Sequence, residues 1–178
     1  MKIIRIDTYS PDSRPQKTAL MADSAIRPDR RPLFLPTDQQ WKCEIRPAIR
    51  INRLGKSIAK KFASRYYSEW TIVNYLCPQS QSDRIFPDMT DDTVVHGVWQ
   101  PINELPATLT FDEDSCDLGI DTDQVGCFIQ ALSTDTTFKT GDIIILPQIL
   151  FTYSPTLNES INIKINKECS DILHFSIK

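Results

Sequence analysis

Hydrophobic and polar residues alternate along much of the chain, a pattern typical of β-strands. The clearest example is 41–52, where Cys43, Ile45 and Ile51 are interleaved with charged side chains. We predict a long strand there, with one solvated face. Because a proline cannot donate to a strand ladder, Pro47 predicts a sheet edge or a bulge within this strand, after which the alternation slips.

Shorter segments of the same character predict further strands, and their spacing predicts a mainly β protein. The turn 139–142 precedes the predicted strand 143–146, and the last two predicted strands, 160–165 and 171–177, both show the alternation. The predicted strands are 1–6, 18–21, 32–35, 71–76, 93–99, 143–146, 160–165 and 171–177.

Two segments have helical spacing instead. The first is 56–67, in which apolar residues recur every three or four positions and the lysines fall on the opposite face. The second begins near Thr122, which we predict to be its N-terminal cap. The apolar stripes are Ile58, Ala59, Phe62, Ala63 and Tyr66 in the first helix, and Val125, Phe128, Ile129 and Leu132 in the second.

The composition and net charge of the chain argue against several classes of function. The chain has 178 residues and a net charge of −3, so we expect one domain, 1–178, with no basic field for nucleic acid or anionic lipid. No apolar run is long enough to span a membrane, and the polar start does not resemble a secretion signal, so we expect a cytoplasmic protein. Five scattered cysteines without a C-x-x-C pair indicate neither a zinc site nor a disulfide framework.

Two stretches resemble proteins of the fumarylacetoacetate hydrolase family. Residues 50–67, with Arg50-Ile51-Asn52-Arg53-Leu54-Gly55, are similar to the segment after the family's metal-binding strand. Residues 132–145, with Thr140-Gly141-Asp142-Ile143, are similar to its turn and strand Leu-x-x-Gly-Asp-x-Ile. The resemblance implies a mainly β fold with short helices (α+β), in which a curled mixed sheet or β-roll surrounds a single core, usually as a homodimer.

The resemblance also implies a chemistry. The family holds Mg²⁺, Mn²⁺ or Ca²⁺ with a Glu-x-Glu pair on one strand and an aspartate on a later strand, since hard cations prefer several carboxylate oxygens. The metal polarises a keto or enol oxygen of a 2-keto acid or 1,3-dicarbonyl compound. Here the pair falls on Glu44-Ile45-Arg46, and the aspartate falls at or beside Asn74-Tyr75. Only Glu44 is retained.

Arg46 therefore puts a fixed positive charge at a ligand position. One interpretation is an ion pair with Glu44 that fills the pocket, and the other is a bidentate contact with the carboxylate of a ligand. Arg84, which aligns near a family lysine, joins Arg46 and Glu44 as the candidate ligand-binding residues.

Two hypotheses follow. The first is a family protein with its metal ligands largely lost, a non-catalytic binding or scaffold homodimer that takes a small carboxylate at Arg46, with no cofactor. The second is an enzyme dependent on Mg²⁺ or Mn²⁺, acting as a C–C hydrolase, decarboxylase or isomerase on a 2-keto or β-diketo acid. The sequence leaves both open.

Overall fold

Strands dominate the protein. The computed structural model describes residues 1–28, 31–35, 40–78, 90–165 and 170–178. The helical segments are the α-helix α1 (Thr122–Asp135) and short 3-10 helices at Asp23–Ala25, Lys60–Arg65 and Ile102–Glu104. The strands are β1 (Ile3–Tyr9), β2 (Pro15–Met21), β3 (Ile26–Pro28), β4 (Trp41–Ile51), β5 (Tyr67–Pro78), β6 (Val94–His96), β7 (Gln100–Pro101), β8 (Ala107–Phe111), β9 (Asp114–Leu118), β10 (Ile143–Ile145), β11 (Phe151–Tyr153), β12 (Ser160–Ile165) and β13 (Ser170–Ser176).

The strands form two sheets. The larger has the order β2-β1-β10-β4-β5-β6-β3, with β11 also pairing with β4 and β7 with β5. It is mixed, because β1 and β10 run parallel whereas β4 and β5 run antiparallel, and it curls into a half-barrel. The smaller sheet has the order β13-β12-β8-β9 and contains the predicted closing strand pair. The predicted fold class, mainly β with a curled mixed sheet and short helices, is confirmed.

The two faces of the larger sheet differ. One face packs against the smaller sheet and α1 and holds the main hydrophobic cluster, to which β4 contributes Cys43, Ile45, Ile49 and Ile51. The opposite face holds a smaller cluster around Ala48. Side chains on that second face are therefore also withdrawn from water.

The solvated face predicted for β4 is wrong, because neighbours cover both sides of the strand. Glu44 and Arg46 are 8% and 6% exposed. The expected slip after Pro47 is also wrong: the register with β5 runs through Pro47 and shifts only between Arg50 and Ile51.

Pro47 is accommodated because β4 has two neighbours in succession on its other edge. The Pro47 carbonyl accepts from Leu146 N–H just after β10, and the Ile45 carbonyl accepts from Leu150 N–H just before β11. The proline nitrogen faces the break between these strands, since N and O of one residue point to the same side of an antiparallel strand. The sheet edge predicted at Pro47 is therefore limited to the short break between β10 and β11.

The predicted helix 56–67 is also wrong in type and length. Only Lys60–Arg65 is helical, as a 3-10 helix, and Phe62 is 40% exposed instead of buried. The backbone before it is tied to α1, because Ser57 N–H donates to the Ser133 carbonyl and Ile58 N–H to the Ser133 hydroxyl. These bonds hold residues 57 and 58 out of a helix.

Helix α1 is confirmed, with one correction at its start. Asp121, not Thr122, caps it, since the Asp121 carboxylate accepts from the N–H groups of Asp123 and Gln124. Val125, Phe128 and Ile129 are buried as predicted. No helix in the described ranges is long and apolar enough to cross a membrane.

Asp142 joins the turn before β10 to the start of β1. Its carboxylate, 1% exposed, accepts from Lys2 N–H at 2.9 Å and Lys139 N–H at 2.7 Å, and also binds the Lys2 ammonium group. Three bonds to one buried carboxylate explain why an aspartate follows Gly141, whose φ is 92°.

We expect Asp142→Ala to lower the free energy of unfolding by about 2–3 kcal/mol, because it leaves buried donors unpaired. Urea denaturation followed by tryptophan fluorescence measures the change. Asp135→Ala, at an exposed carboxylate, is the control and should change stability by less than about 0.5 kcal/mol. Equal effects of the two substitutions would contradict the assigned role.

Candidate functional site

The candidate site lies on the second face of the larger sheet, where β10 ends and leaves β1 beside β4. Strand alternation directs Arg5 and Asp7 of β1 to this face, together with Glu44 and Arg46 of β4. All four side chains are at most 15% exposed. Charged groups from two strands thus meet in a largely buried place.

Glu44 and Arg46 form a direct ion pair. The Arg46 Nε and one terminal nitrogen lie 2.9 and 2.6 Å from the same Glu44 oxygen, Oε2. The other terminal nitrogen donates to the Ile6 carbonyl at 3.2 Å and lies 3.6 Å from Asp7 Oδ1. Every nitrogen of this guanidinium group therefore faces an acceptor of the protein itself.

Two further ion pairs extend the contact into a cluster of alternating charge. Arg5 binds Asp7 with two bonds of 2.7 and 3.1 Å. At the other end, Lys42 Nζ lies 3.2 Å from Glu44 Oε1. We call these five residues, Arg5, Asp7, Lys42, Glu44 and Arg46, the ionic cluster. It contains three cations and two carboxylates.

Tyr75 completes the arrangement opposite Glu44. The β4–β5 register pairs Glu44 with Tyr75 and Ile45 with Asn74, so Tyr75 shares the face of the ionic cluster while Asn74 points into the main core. The Arg5 guanidinium carbon lies 4.3 Å from the centre of the Tyr75 ring. Asn74 instead accepts from the Tyr153 hydroxyl at 2.8 Å. Of the two positions considered for the third ligand, only Tyr75 faces the site.

The other sequence expectations have mixed outcomes. The structure brings Glu44 and Arg46 together, whereas Arg84 lies outside the described residues. Arg5, Asp7 and Lys42 were not expected at the site. The alternation of β1 indicates that Arg5 and Asp7 share one face. The sequence does not show that this face lies beside β4, because that depends on strand pairing between segments distant in sequence.

An open groove of about 730 Å³ adjoins the ionic cluster. Its lining residues are Lys42, Glu44, Cys77, Pro78, Thr152, Tyr153 and Ser154. Lys42 is the most exposed member of the ionic cluster, with 39% of its side chain accessible. The groove thus offers an ammonium group, and on Thr152 and Ser154 two hydroxyl groups, to a small polar molecule.

Cys77 is not an activated thiol. Burial, reinforced by the nearby Glu44 carboxylate, raises the pKa of Cys77 to about 11. Its Sγ donates to the Lys42 carbonyl at 3.3 Å. Since the thiolate is the nucleophile, Cys77 stays protonated and unreactive at neutral pH.

The protein shares its fold with proteins of known structure. No family sequence model and no curated protein matches the chain, but solved structures do. A protein from Yersinia pestis CO92 assigned to the fumarylacetoacetate hydrolase family superposes with a TM-score of 0.78 and 14% identity, over 99% of this chain and 93% of that one. The chain has the fumarylacetoacetate hydrolase fold.

Other structures with this fold belong to enzymes. The 2-hydroxyhepta-2,4-diene-1,7-dioate isomerase of Mycobacterium marinum has a TM-score of 0.76 and 20% identity, over 99% of this chain and 73% of that one. Maleylpyruvate hydrolase from Sphingobium sp. SYK-6, in complex with a manganese(II) ion and pyruvate, gives 0.74 and 19%, over 99% and 69%. The fold thus supports hydrolases and isomerases, and sites within it decide the activity.

The residues present do not fit the divalent metal implied by the resemblance. Arg46 binds one oxygen of Glu44, Lys42 lies against the other, and Tyr75 supplies a phenol where a carboxylate was expected. A divalent cation would have to displace Arg46 and then lie among three cationic side chains, which Coulomb repulsion opposes. In the described ranges no three His, Cys, Asp or Glu residues are grouped to hold a metal ion.

Proposed function

We propose that this protein is a non-catalytic binding protein built on the fumarylacetoacetate hydrolase fold, without metal-dependent chemistry. The observation that carries the proposal is the Arg46 guanidinium group bound to Glu44. It satisfies the retained carboxylate internally and places a permanent positive charge at a ligand position. The catalytic hypothesis requires this position to accept a cation.

We further propose that the ligand is a small carboxylate held in the groove beside the ionic cluster. A small carboxylate suits this groove because Lys42 borders it and could form a charge-assisted hydrogen bond with the ligand. Lys42 is the accessible cation, and the Thr152 and Ser154 hydroxyl groups are neutral donors. Arg46 contributes through its charge, since direct contact with a ligand would require it to leave Glu44.

Calorimetric titration of the full chain tests the proposal, with pyruvate, fumarate and oxaloacetate as probes. We expect binding of at least one probe in metal-free buffer, and about a tenfold loss of affinity in Lys42→Met, corresponding to one charge-assisted bond. Lys17→Met, at an exposed site on β2, is the matched control and should bind like the parent. Binding unchanged by Lys42→Met would contradict the assigned groove.

A turnover assay tests the non-catalytic part. Oxaloacetate and an acylpyruvate are incubated with the protein and either Mg²⁺ or Mn²⁺, and we expect no rate above the protein-free control. Metal-dependent turnover that disappears in Glu44→Gln would overturn the proposal in favour of the enzyme hypothesis. Glu69→Gln, at a half-exposed ion pair on β5, controls for unspecific effects.

A further inference from the structure

Strand β2 forms one edge of the larger sheet, and β1 is its only strand neighbour in the described ranges. The direction of the hydrogen bonds between them follows from the other side of β1. The Lys2 carbonyl accepts from Ile143 N–H, so Lys2 and Ile4 direct their backbone groups towards β10, since N and O of one residue point to the same side of a strand. Ile3 and Arg5 therefore direct theirs towards β2.

Two residues of β2 consequently have backbone groups that face away from the sheet. Ala19 and Met21 lie opposite Arg5 and Ile3 and bond with them. Thr18 and Leu20 alternate with these residues and direct N–H and C=O outwards. No described residue supplies a backbone partner on that side, and Leu20 is 55% exposed. These four groups form a template to which another extended segment can add.

The section from Thr18 to Leu20 lacks the features that usually protect an open edge, which are charged side chains, prolines or a covering element. Pro15 lies at the far end of β2, and Lys17 alternates with Thr18, so its side chain points to the other face of the sheet. The exposed side chains beside the open backbone groups are a threonine and a leucine. This section is therefore free to pair.

Helix α1 runs beside this edge and makes it one wall of a groove. A cavity of about 190 Å³ lies between Ile4 and Leu20 of the sheet and Leu132 of the helix. A second cavity of about 560 Å³ meets the first at Asp135 and extends to Arg14 in the turn before β2. We call the two cavities together the edge groove. It follows β2 for six residues, or roughly 20 Å, which suits an extended peptide.

The side chains of the edge groove indicate the chemistry of its occupant. Ile4, Leu20 and Leu132 make the smaller cavity aliphatic, so it suits one apolar side chain. Asp135 is exposed, and no Lys or Arg of the described ranges lies within 4 Å of its carboxylate. It is also the last residue of α1, whose last turn contains no basic residue, and the negative end of a helix adds to its charge. A basic side chain complements this position.

Strand β2 of a second copy does not have this chemistry. In an antiparallel two-fold pairing it would direct Gln16, Thr18 and Leu20 towards the groove, whereas Lys17 would point to the opposite face. Asp135 would then meet no cation. The groove therefore favours a segment of a different protein.

We propose that the edge groove binds an extended segment of a partner protein, which adds to β2 as a further strand and carries an aliphatic residue two positions from a lysine or arginine. Backbone bonds to Thr18 and Leu20 supply affinity, and alternate side chains supply specificity. The aliphatic side chain enters the smaller cavity and the cation lies at Asp135. The ionic cluster is on the opposite face of the sheet, so this site is independent of the carboxylate site.

Fluorescence anisotropy of the full chain with labelled heptapeptides tests the proposal. The probes are acetyl-Thr-Lys-Thr-Leu-Thr-Val-Thr-amide and its reversed sequence, which together cover both directions of an added strand. We expect at least one to bind with a dissociation constant below about 1 mM. Replacing its lysine by glutamate should weaken binding about tenfold, because the charge-assisted bond to Asp135 is lost.

Backbone methylation of the peptide distinguishes strand addition from contact through side chains alone. In an added strand, alternate residues direct their N–H groups to β2. One probe carries N-methyl groups on the residues at odd positions and the other on those at even positions. We expect one of these probes to lose binding and the other to retain it. Equal effects of the two patterns would overturn strand addition.

Variants of the protein place the peptide in the edge groove. Thr18→Pro removes an outward N–H without breaking a bond to β1, and should weaken binding about fivefold or more. Asp135→Lys should weaken the lysine peptide and strengthen the glutamate peptide. The control is Glu113→Lys, which makes the same change of charge in the exposed β8–β9 turn and should bind like the parent. Circular dichroism verifies that each variant is folded.

Several results would overturn the proposal. Neither peptide binding at 1 mM would mean that the edge does not accept a strand of this chemistry. Binding that is unchanged in the folded Asp135→Lys variant would place the peptide elsewhere. A parent dimer in sedimentation velocity that Thr18→Pro dissociates would show that a second copy, not another protein, occupies the edge.

Discussion

The combined variant Arg46→Glu with Tyr75→Asp should bind Mn²⁺ and Mg²⁺, whereas the parent should bind neither at millimolar concentration. The substitutions place two further carboxylates on the face that holds Glu44, and three carboxylates suit a hard divalent cation. We expect micromolar to low millimolar affinity for Mn²⁺ by calorimetry, with a melting temperature that rises with metal concentration. Arg46→Glu alone should give a weaker site.

A matched control separates charge from shape in this experiment. Arg46→Gln with Tyr75→Asn has side chains of similar size but no added carboxylate, and should not bind the metal. Arg5 remains near position 75 and competes for the new aspartate, which limits the affinity without abolishing it. No metal binding in the folded carboxylate variant would mean that the site no longer has room for a cation.

Replacement of the Arg46 guanidinium group by an apolar side chain should strongly lower the free energy of unfolding. In Arg46→Met, Glu44 and Asp7 stay largely buried after losing a cationic neighbour, and breaking a buried pair in this way costs about 3 kcal/mol or more. For a chain of this length, 3 kcal/mol corresponds to a fall of about 6–12 °C in melting temperature. Differential scanning calorimetry measures this directly.

The expected effect depends on Glu44, so a double variant tests the cause. Glu44→Leu with Arg46→Met removes both charges and should recover stability to within about 1 kcal/mol of the parent. Arg50→Met is the control on the same strand face, because Arg50 and Glu69 are about one-third exposed and such pairs contribute about 1 kcal/mol or less. If Arg46→Met were as mild as Arg50→Met, the ionic cluster would not stabilise the fold.

Much of the fold could be predicted from local patterns of hydrophobic and polar residues. Alternation located β4, the terminal strands and the apolar face of α1, because these depend on spacing within one segment. The prediction of a helix at 56–67 was wrong because hydrogen bonds to Ser133, more than seventy positions away, hold its first residues in another conformation. Helical spacing depends only on the residues of one segment, so it cannot reveal such a tertiary contact.

The site was predictable only in part for the same reason. Two residues of one strand, Glu44 and Arg46, could be placed side by side from their spacing, and the charge reversal could be recognised by resemblance. Asp7 and Arg5 reach them through β1, which lies beside β4 only because β10 ends after Ile145. Tyr75 rather than Asn74 faces Glu44 because of the strand register, and a shift of one residue would exchange them.

The change of neighbour beside Pro47 has a consequence for the backbone polar groups of β4. Leu146 N–H and Leu150 N–H satisfy the carbonyls of Pro47 and Ile45, and the intervening residues 147–149 leave the strand ladder. A buried backbone N–H without a partner costs free energy. Pro47 is buried and has no N–H, so β4 exchanges β10 for β11 without a donor at residue 47 that needs an acceptor.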